Sequence, residues 1–219
     1  MKSSYLCHNY IMFDFILNIL YPDSCLGCHK ANVPLCTKCV DAIPDAPYTR
    51  DNHRARFAYA DPIMRKAIRA LKYRHASRIA GILGPYLADI ILEDLGDDID
   101  YKSERTIIVP APLSRERLAE RGFNQAELLA ESVSNITGLY SELAVEKIRH
   151  TESQVALGNR KARLHNLEGA FNVPNPTSVA RKDVLIIDDV YTTGATIREL
   201  SRTLRAAGAR STRAYTLAH

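Results

Sequence analysis

The sequence predicts an α/β fold: a mostly parallel β-sheet flanked by helices, with a small cysteine-rich module at the N-terminal end. Three observations predict it. Short apolar runs alternate with stretches of helical periodicity from about residue 55 onward. One run, Val184 to Ile187, leads directly into two aspartates, a glycine-containing loop and a helix start. Four of the five cysteines fall between Cys25 and Cys39. Alternating strands and helices imply parallel pairing with helical crossovers, and ligands in such sheets sit beyond the carboxyl ends of the strands.

The elements follow in order. Ile11, Phe15, Ile16 and Ile19 recur at helical spacing, so residues 1–20 read as an amphipathic helix. Asp14 and Asn18 interrupt that segment, and no stretch reaches the roughly 18 to 20 apolar residues a membrane span requires. No small-residue cleavage site follows it, which argues against a signal peptide and for the cytoplasm. A weak membrane contact by this helix stays open. Met12 is an alternative start to Met1, and Cys7 stands apart from the cysteine cluster.

Residues 21–50 form the second segment. Cys25-Leu-Gly-Cys28 and Cys36-Thr-Lys-Cys39, seven residues apart, suit two knuckles closing four thiolates around Zn²⁺. Gly27 suits the turn, and His29 is an adjacent competing ligand. Paired disulfides or redox-active C-x-x-C sites are the alternatives, and both call for a different compartment or context. With all four positions filled by protein, such a metal is structural and not catalytic. Asp41 to Asp51, with two prolines and three acids, reads as a linker.

Residues 55–219 form the main domain. Phe57 to Ala60 is a candidate strand, followed by Asp61-Pro62, a helix cap with proline at the first position. Ile63, Ala67, Ile68 and Leu71 line one helix face, while Arg65, Lys66, Arg69 and Lys72 line the other. These belong to nine basic residues between Arg50 and Arg78, set against only Asp51 and Asp61. That stretch fits a solvated helix face and an anion-binding surface equally well. Ile79 to Leu95 is a second helix with a bend expected at Gly84-Pro85. Thr106 to Val109 is a strand ending in Pro110-Ala111-Pro112, and Asn124 caps a helix closed by Gly138. Leu143 to Ile148, Ala170 to Val173, Val184 to Ile187 and Arg213 to Leu217 complete the strands, with a helix from Thr196 to Ala207.

The run Val184 to Thr196, VLIIDDVYTTGAT, carries the chemistry. Small hydroxylated residues around Gly194, just before a helix, aim backbone N–H groups and hydroxyls at a dianion. Two carboxylates beside a phosphate suit ribose hydroxyls with Mg²⁺ nearby. The spacing excludes a P-loop and a dinucleotide-binding turn.

These thirteen residues resemble the 5-phosphoribosyl-1-pyrophosphate (PRPP) motif of type I phosphoribosyltransferases. The resemblance implies that Asp188 and Asp189 address the ribose, directly or through Mg²⁺, as the catalytic pair. It implies that Thr192, Thr193, Gly194, Ala195 and Thr196 hold the 5-phosphate, with Pro110 and Ala111 near the pyrophosphate. Arg121-Gly-Phe-Asn-Gln125, the stretch Thr151 to Phe171 and the tetracysteine N-terminus together resemble the ComF family, over nearly the whole chain from about Leu20. That likeness implies a PRPP-binding protein of natural competence and DNA uptake, handling single-stranded DNA alongside competence or recombination proteins. Some members of the family, the GntX-like ones, are tied to growth on unusual carbon sources or have no settled role.

The alternative is an active Mg²⁺-dependent transferase with an unknown acceptor. Residues 149–171 then correspond to a lid, with Gln154, Arg160 and Arg163 as pyrophosphate contacts and His150 and His165 as acid or base. Arg115, Arg117 and Arg121 supply a cationic rim. Tyr48, Phe57, Tyr59 and Tyr73, interleaved with the basic stretch, are candidate stacking residues for single strands.

Overall fold

The computed structural model describes residues 24–47, 52–73, 76–96, 105–149 and 167–219. The chain divides into two compact units, Met1–Ala42 and Ile43–His219. The predicted helix over residues 1–20, Cys7 and Tyr48 lie outside the described residues.

In the first unit, two turns bring the cysteine pairs together. Ser24 and Ala31 form an antiparallel bridge, and Cys25 N–H donates to Lys30 O. The left-handed residue of the first turn is His29 (φ 60°) rather than Gly27. Helix α1, Thr37–Asp41, starts at the second pair.

The second unit holds a five-stranded sheet. Its strands are β1 (His53–Phe57), β2 (Thr106–Pro110), β3 (Tyr140–Ser141), β6 (Asp183–Val190) and β7 (Ser211–Ala218). Their order is β1-β7-β6-β2-β3, and every pairing is parallel. β4 (Glu146–Lys147) and β5 (Phe171–Asn172) form a separate antiparallel pair. Within the strand expected over Leu143 to Ile148 only β4 forms; β3 precedes that span, and Leu143 is exposed between the two. The first strand, expected over Phe57 to Ala60, instead starts at His53 and ends at Phe57. β1 is an edge strand whose polar His53, Arg54 and Arg56 alternate with Ala55 and Phe57, so a purely apolar criterion misses it.

Helix α2, Pro62–Leu71, is capped as expected: Asp61 Oδ1 accepts from Ile63 N at 2.7 Å and Met64 N at 3.0 Å. Met64, Ala67, Ile68 and Leu71 are buried, and Arg65, Lys66 and Arg69 are exposed. Helix α3, Ala76–Leu95, runs continuously through Pro85. Its neighbour is α5, Gln125–Thr137, closed by Gly138 in the left-handed region (φ 75°). Helix α4, Arg115–Arg121, was not anticipated, and α6, Ala195–Ala206, follows the motif loop. Residues 44–46 are less free than a linker: Ala46 N–H donates to Arg56 O, and Ala58 N–H donates to Pro44 O.

The sheet core is aliphatic. β2 is buried at every position, and Val184 to Ile187 of β6 are at most 2% exposed. A strand buried on both faces places the polar residues that follow it at the rim of the core, which is where the motif begins.

Candidate functional site

The site lies at the carboxyl ends of β2 and β6. Ala111 N–H donates to Ile187 O at 2.8 Å, tying the loop after β2 to the end of β6. That loop is braced by Asn124, only 2% exposed. Asn124 Nδ2 donates to Ala111 O and to Glu127 Oε1, each at 3.0 Å, while its Oδ1 accepts from Ala126 N to cap α5. The R-G-F-N-Q segment is thereby accounted for. Gly122 ends α4 at φ 77°, Asn124 joins helix to loop, and Gln125 Oε1 accepts from Arg121 Nη1 at 3.1 Å.

Asp188 and Asp189 follow Ile187. Asp189 N–H donates to Asp188 Oδ1 at 2.8 Å. Desolvation within the fold and the adjacent Asp189 charge raise the proton affinity of Asp188 well above the usual carboxylate range. Asp189 is 5% exposed, and its Oδ2 lies 2.7 Å from Lys72 Nζ in an ion pair not aligned as a hydrogen bond. Lys72 caps the C-terminal end of α2. Its spacing placed it on the basic face with Arg65 and Arg69, yet it turns inward; no local signal distinguishes it, because its partner is more than a hundred residues away.

The loop then turns through Gly194 (φ 73°), which N-caps α6. A β-carbon there would sit 2.6 Å from Tyr191 Cζ, so glycine is required by both conformation and space. Tyr191 stacks on His53 with centroids 3.8 Å apart, and His53 Nε2 lies 2.9 Å from Thr216 Oγ1. The floor of the loop is thus anchored to β1 and β7. Arg198 donates to Thr193 O at 2.6 Å from the first turn of α6.

A cavity of about 760 Å³ opens above this loop, within the usual range for small-molecule sites. Asp188, Asp189, Thr192, Gly194, Ala195 and Thr196 line it, with Ala111 and Pro112 on the other wall. Thr193 and Pro110 do not line it: Thr193 holds the loop to α6, and Pro110 ends β2. Arg117 and Arg121 reach the cavity, whereas Arg115 does not. Lys147 of β4 also lines it, and burial with the nearby Arg117 charge lowers its pKa to about 8. Gln154, Arg160, Arg163, His150 and His165 lie outside the described residues. Beyond that stretch, Gly169 N–H donates to Glu199 Oε1 at 2.7 Å, fixing the chain against α6. The Arg202 hydrogen bond, helped by the Gly169 N–H, outweighs burial and lowers the Glu199 pKa below the usual carboxylate range.

In the first unit, the sulfurs of Cys25, Cys28, Cys36 and Cys39 all lie within 4.8 Å of one another. Cys36 Sγ is 3.7 Å from both Cys25 Sγ and Cys28 Sγ. A tetrahedron with Zn–S bonds of about 2.3 Å has edges of about 3.8 Å, so the donor set fits zinc. Cys36 N–H also donates to Cys25 Sγ at 3.3 Å. Burial pushes the Cys25 thiol up, but backbone N–H groups of Cys28, Cys36 and Gly27 outweigh it and bring the pKa down to about 6. Burial and the neighbouring sulfurs push Cys39 up to about 12, a repulsion among thiolates that a divalent cation relieves. His29 is not part of this group.

Comparison with known proteins bears on both units. Residues 119–219 match the phosphoribosyl transferase domain family. Competence protein ComFC of Streptococcus pneumoniae is 31% identical over 196 residues, 89% of this chain and 80% of that one. The chain belongs to the ComF family. DNA utilization protein YhgH of Escherichia coli K12 is 31% identical over 199 residues, 90% of this chain and 83% of its own length. Among solved structures, glutamine PRPP amidotransferase from B. subtilis aligns with a TM-score of 0.44 at 18% identity, over 68% of this chain and 30% of that enzyme. ComF membership agrees with the parallel sheet and with the cysteine cluster near the N-terminus. Among the described residues, no helix is long and apolar enough to cross a membrane.

Proposed function

We propose that this ComF-family chain binds PRPP with Mg²⁺ and acts in the cytoplasm in the handling of incoming single-stranded DNA during natural transformation. The observation that carries the reading is the convergence of the acidic pair, the Thr192–Thr196 turn and the Ala111–Pro112 loop on one cavity. Backbone N–H groups at the start of α6 and the hydroxyls of Thr192 and Thr196 hold the 5-phosphate. Asp188 and Asp189 accept hydrogen bonds from the ribose hydroxyls. Mg²⁺ supplies charge neutralisation for the pyrophosphate, and Arg117 and Arg121 add to it from the opposite wall. In this reading residues 21–50 are a structural zinc module held by Cys25, Cys28, Cys36 and Cys39, and residues 55–219 are the PRPP-binding domain.

The relatives' names, competence protein and DNA utilization protein, support the physiological part. Arg65 and Arg69, exposed on α2, are the candidate contacts to strand phosphates; Lys72 faces Asp189 and is not among them. A chromosomal allele carrying Asp188→Asn and Asp189→Asn tests the link. It is expected to lower transformation as far as deletion does, at normal protein levels; wild-type transformation by that allele contradicts the reading.

Lys147 favours transfer of the phosphoribosyl group at the same site as a second reading. An amine with a pKa of about 8 inside the cavity can exchange a proton near neutrality. Release of pyrophosphate from PRPP, lost in Lys147→Met, is the result expected if that reaction occurs.

A further inference from the structure

The phosphate turn uses only the start of α6, and the outer face of that helix has no part in it. Arg198, Arg202 and Arg205 are exposed there at i, i+4 and i+7. That spacing aligns side chains along one side of a helix over about 10 Å. The chain beyond α6 extends the row. Arg210 is exposed just before β7, and Arg181 is exposed where its N–H donates to Gly208 O at 2.8 Å. Lys182 adjoins them, its carbonyl accepting from Arg210 N–H at 2.8 Å. None of these residues lines the cavity.

The row is held in place from below. Arg202 Nε and Nη2 donate to Glu199 at 2.9 and 2.6 Å, and Glu199 is itself buried and bound to Gly169 N–H. Arg210 Nε donates to Asp183 Oδ1 at 2.9 Å. Arg205 Nε donates to Thr212 Oγ1 at 3.2 Å, and Arg198 Nη2 donates to Thr193 O at 2.6 Å. These guanidiniums are anchored, yet their side chains stay in solvent, 60% exposed for Arg202 and 56% for Arg210. Glu199 and Asp183 serve as anchors, and exposed Glu168 adds one negative charge near Arg202. The basic residues outnumber these acids, so the face remains cationic.

Fixed cations suit fixed anions. An arginine that is already anchored gives up little further freedom when a phosphate meets its fork. Duplex nucleic acid brings the same saving, because its phosphates are held at a set spacing along the helix. An acidic peptide does not, since its carboxylates sit on flexible side chains that must be ordered. Single strands are disfavoured for another reason: surfaces that hold them add rings on which bases stack. The stretch Arg198 to Arg210 contains no aromatic residue. Of the candidate stacking rings, Phe57 is buried at 1% exposure, while Tyr59 and Tyr73 line the cavity. We infer that Arg181, Arg198, Arg202, Arg205 and Arg210 form a docking surface for the phosphate backbone of duplex nucleic acid. It is separate from the PRPP cavity and from the single-strand contacts assigned to Arg65 and Arg69, and it stands whether or not PRPP binds. Backbone contacts of this kind position a duplex without reading its sequence.

Fluorescence anisotropy on the full-length protein tests it, with a short labelled duplex and an oligothymidylate of equal length as probes. Duplex affinity is expected to fall steeply from about 50 to 200 mM salt and to be the same for unrelated sequences. Arg181→Gln with Arg205→Gln leaves both carboxylate anchors paired. It is expected to weaken the duplex about 10-fold and to lower the salt slope by about 2, with oligothymidylate changed less than about 2-fold. Arg202→Lys keeps the charge beside Glu199 but loses the fork, and a loss of about 3-fold is expected. Absence of duplex binding by the wild type overturns the surface. So does unchanged duplex binding in a double variant that still melts cooperatively. Should the double variant not fold, unchanged affinity in Arg202→Lys overturns it instead. Equal losses on both probes overturn the choice of duplex, and displacement of the duplex by polyglutamate at equal charge overturns the choice of nucleic acid.

Discussion

Asp188 is held in the fold under conditions that favour its proton, yet the reading of the site needs its charge. Desolvation and the Asp189 carboxylate raise its pKa well above the ordinary range. From about pH 4 upward the unfolded chain has released this proton while the native state retains it, so native stability falls as pH rises through the window up to the raised value. Asp188→Asn keeps an oxygen for the Asp189 N–H and removes the penalty. Thermal melts from pH 4 to 8 are expected to show the variant about 2–4 °C more stable at pH 7, with a flatter profile. A variant less stable than wild type at pH 7 contradicts this account of the pair. Lys72 offsets part of the same repulsion at Asp189. The acids and the turn were legible in the sequence because they are contiguous. Lys72 was not, since nothing in its neighbourhood separates an inward lysine from the solvated Arg65 and Arg69.

At the scale of elements, helices were more legible than strands. Asp61-Pro62 and Asn124 are side-chain caps with local causes, and both lie where the chain requires them. β3, β4 and β5 are two residues each, too short for periodicity to mark, and β1 is an edge strand with polar residues. The expected bend at Gly84-Pro85 has another meaning. Gly84 lies where α3 meets α5, and a β-carbon there would come 2.5 Å from Ser132 Cβ, whereas one at Gly81 meets nothing within 4 Å. Alanine at an open helical glycine gains about 0.5–1 kcal/mol. Gly81→Ala is therefore expected to raise the urea midpoint, and Gly84→Ala to lower stability by about 2 kcal/mol through overpacking. Equal gains at both positions contradict a close α3–α5 contact.

Across the whole molecule, two separate devices support the two compact units. The larger has an aliphatic sheet core; the smaller, among its described residues, has Cys25, Leu35, Cys39 and Val40 buried and four clustered sulfurs. So small a core contributes little by itself, and in the proposed reading zinc held by the four sulfurs supplies the rest. Purified protein is expected to carry one equivalent of zinc, and its removal by chelator to expose sites between residues 24 and 42 to protease while residues 105–149 stay protected. Metal content far below one equivalent, or unchanged cleavage after chelation, contradicts the zinc assignment. The cysteine spacing made this module legible. What the sequence did not disclose is that β1, from the start of the larger unit, completes the rim of a site whose motif lies near residue 190. That information resides in strand order, which local patterns do not encode.

The central claim is that the Asp188–Thr196 loop holds PRPP, and calorimetry of the intact protein with PRPP and Mg²⁺ tests it most directly. Saturable binding near one equivalent is expected, abolished by Asp188→Asn together with Asp189→Asn in a protein that still melts cooperatively. Binding unchanged in that variant, or no binding by the wild type, contradicts the claim.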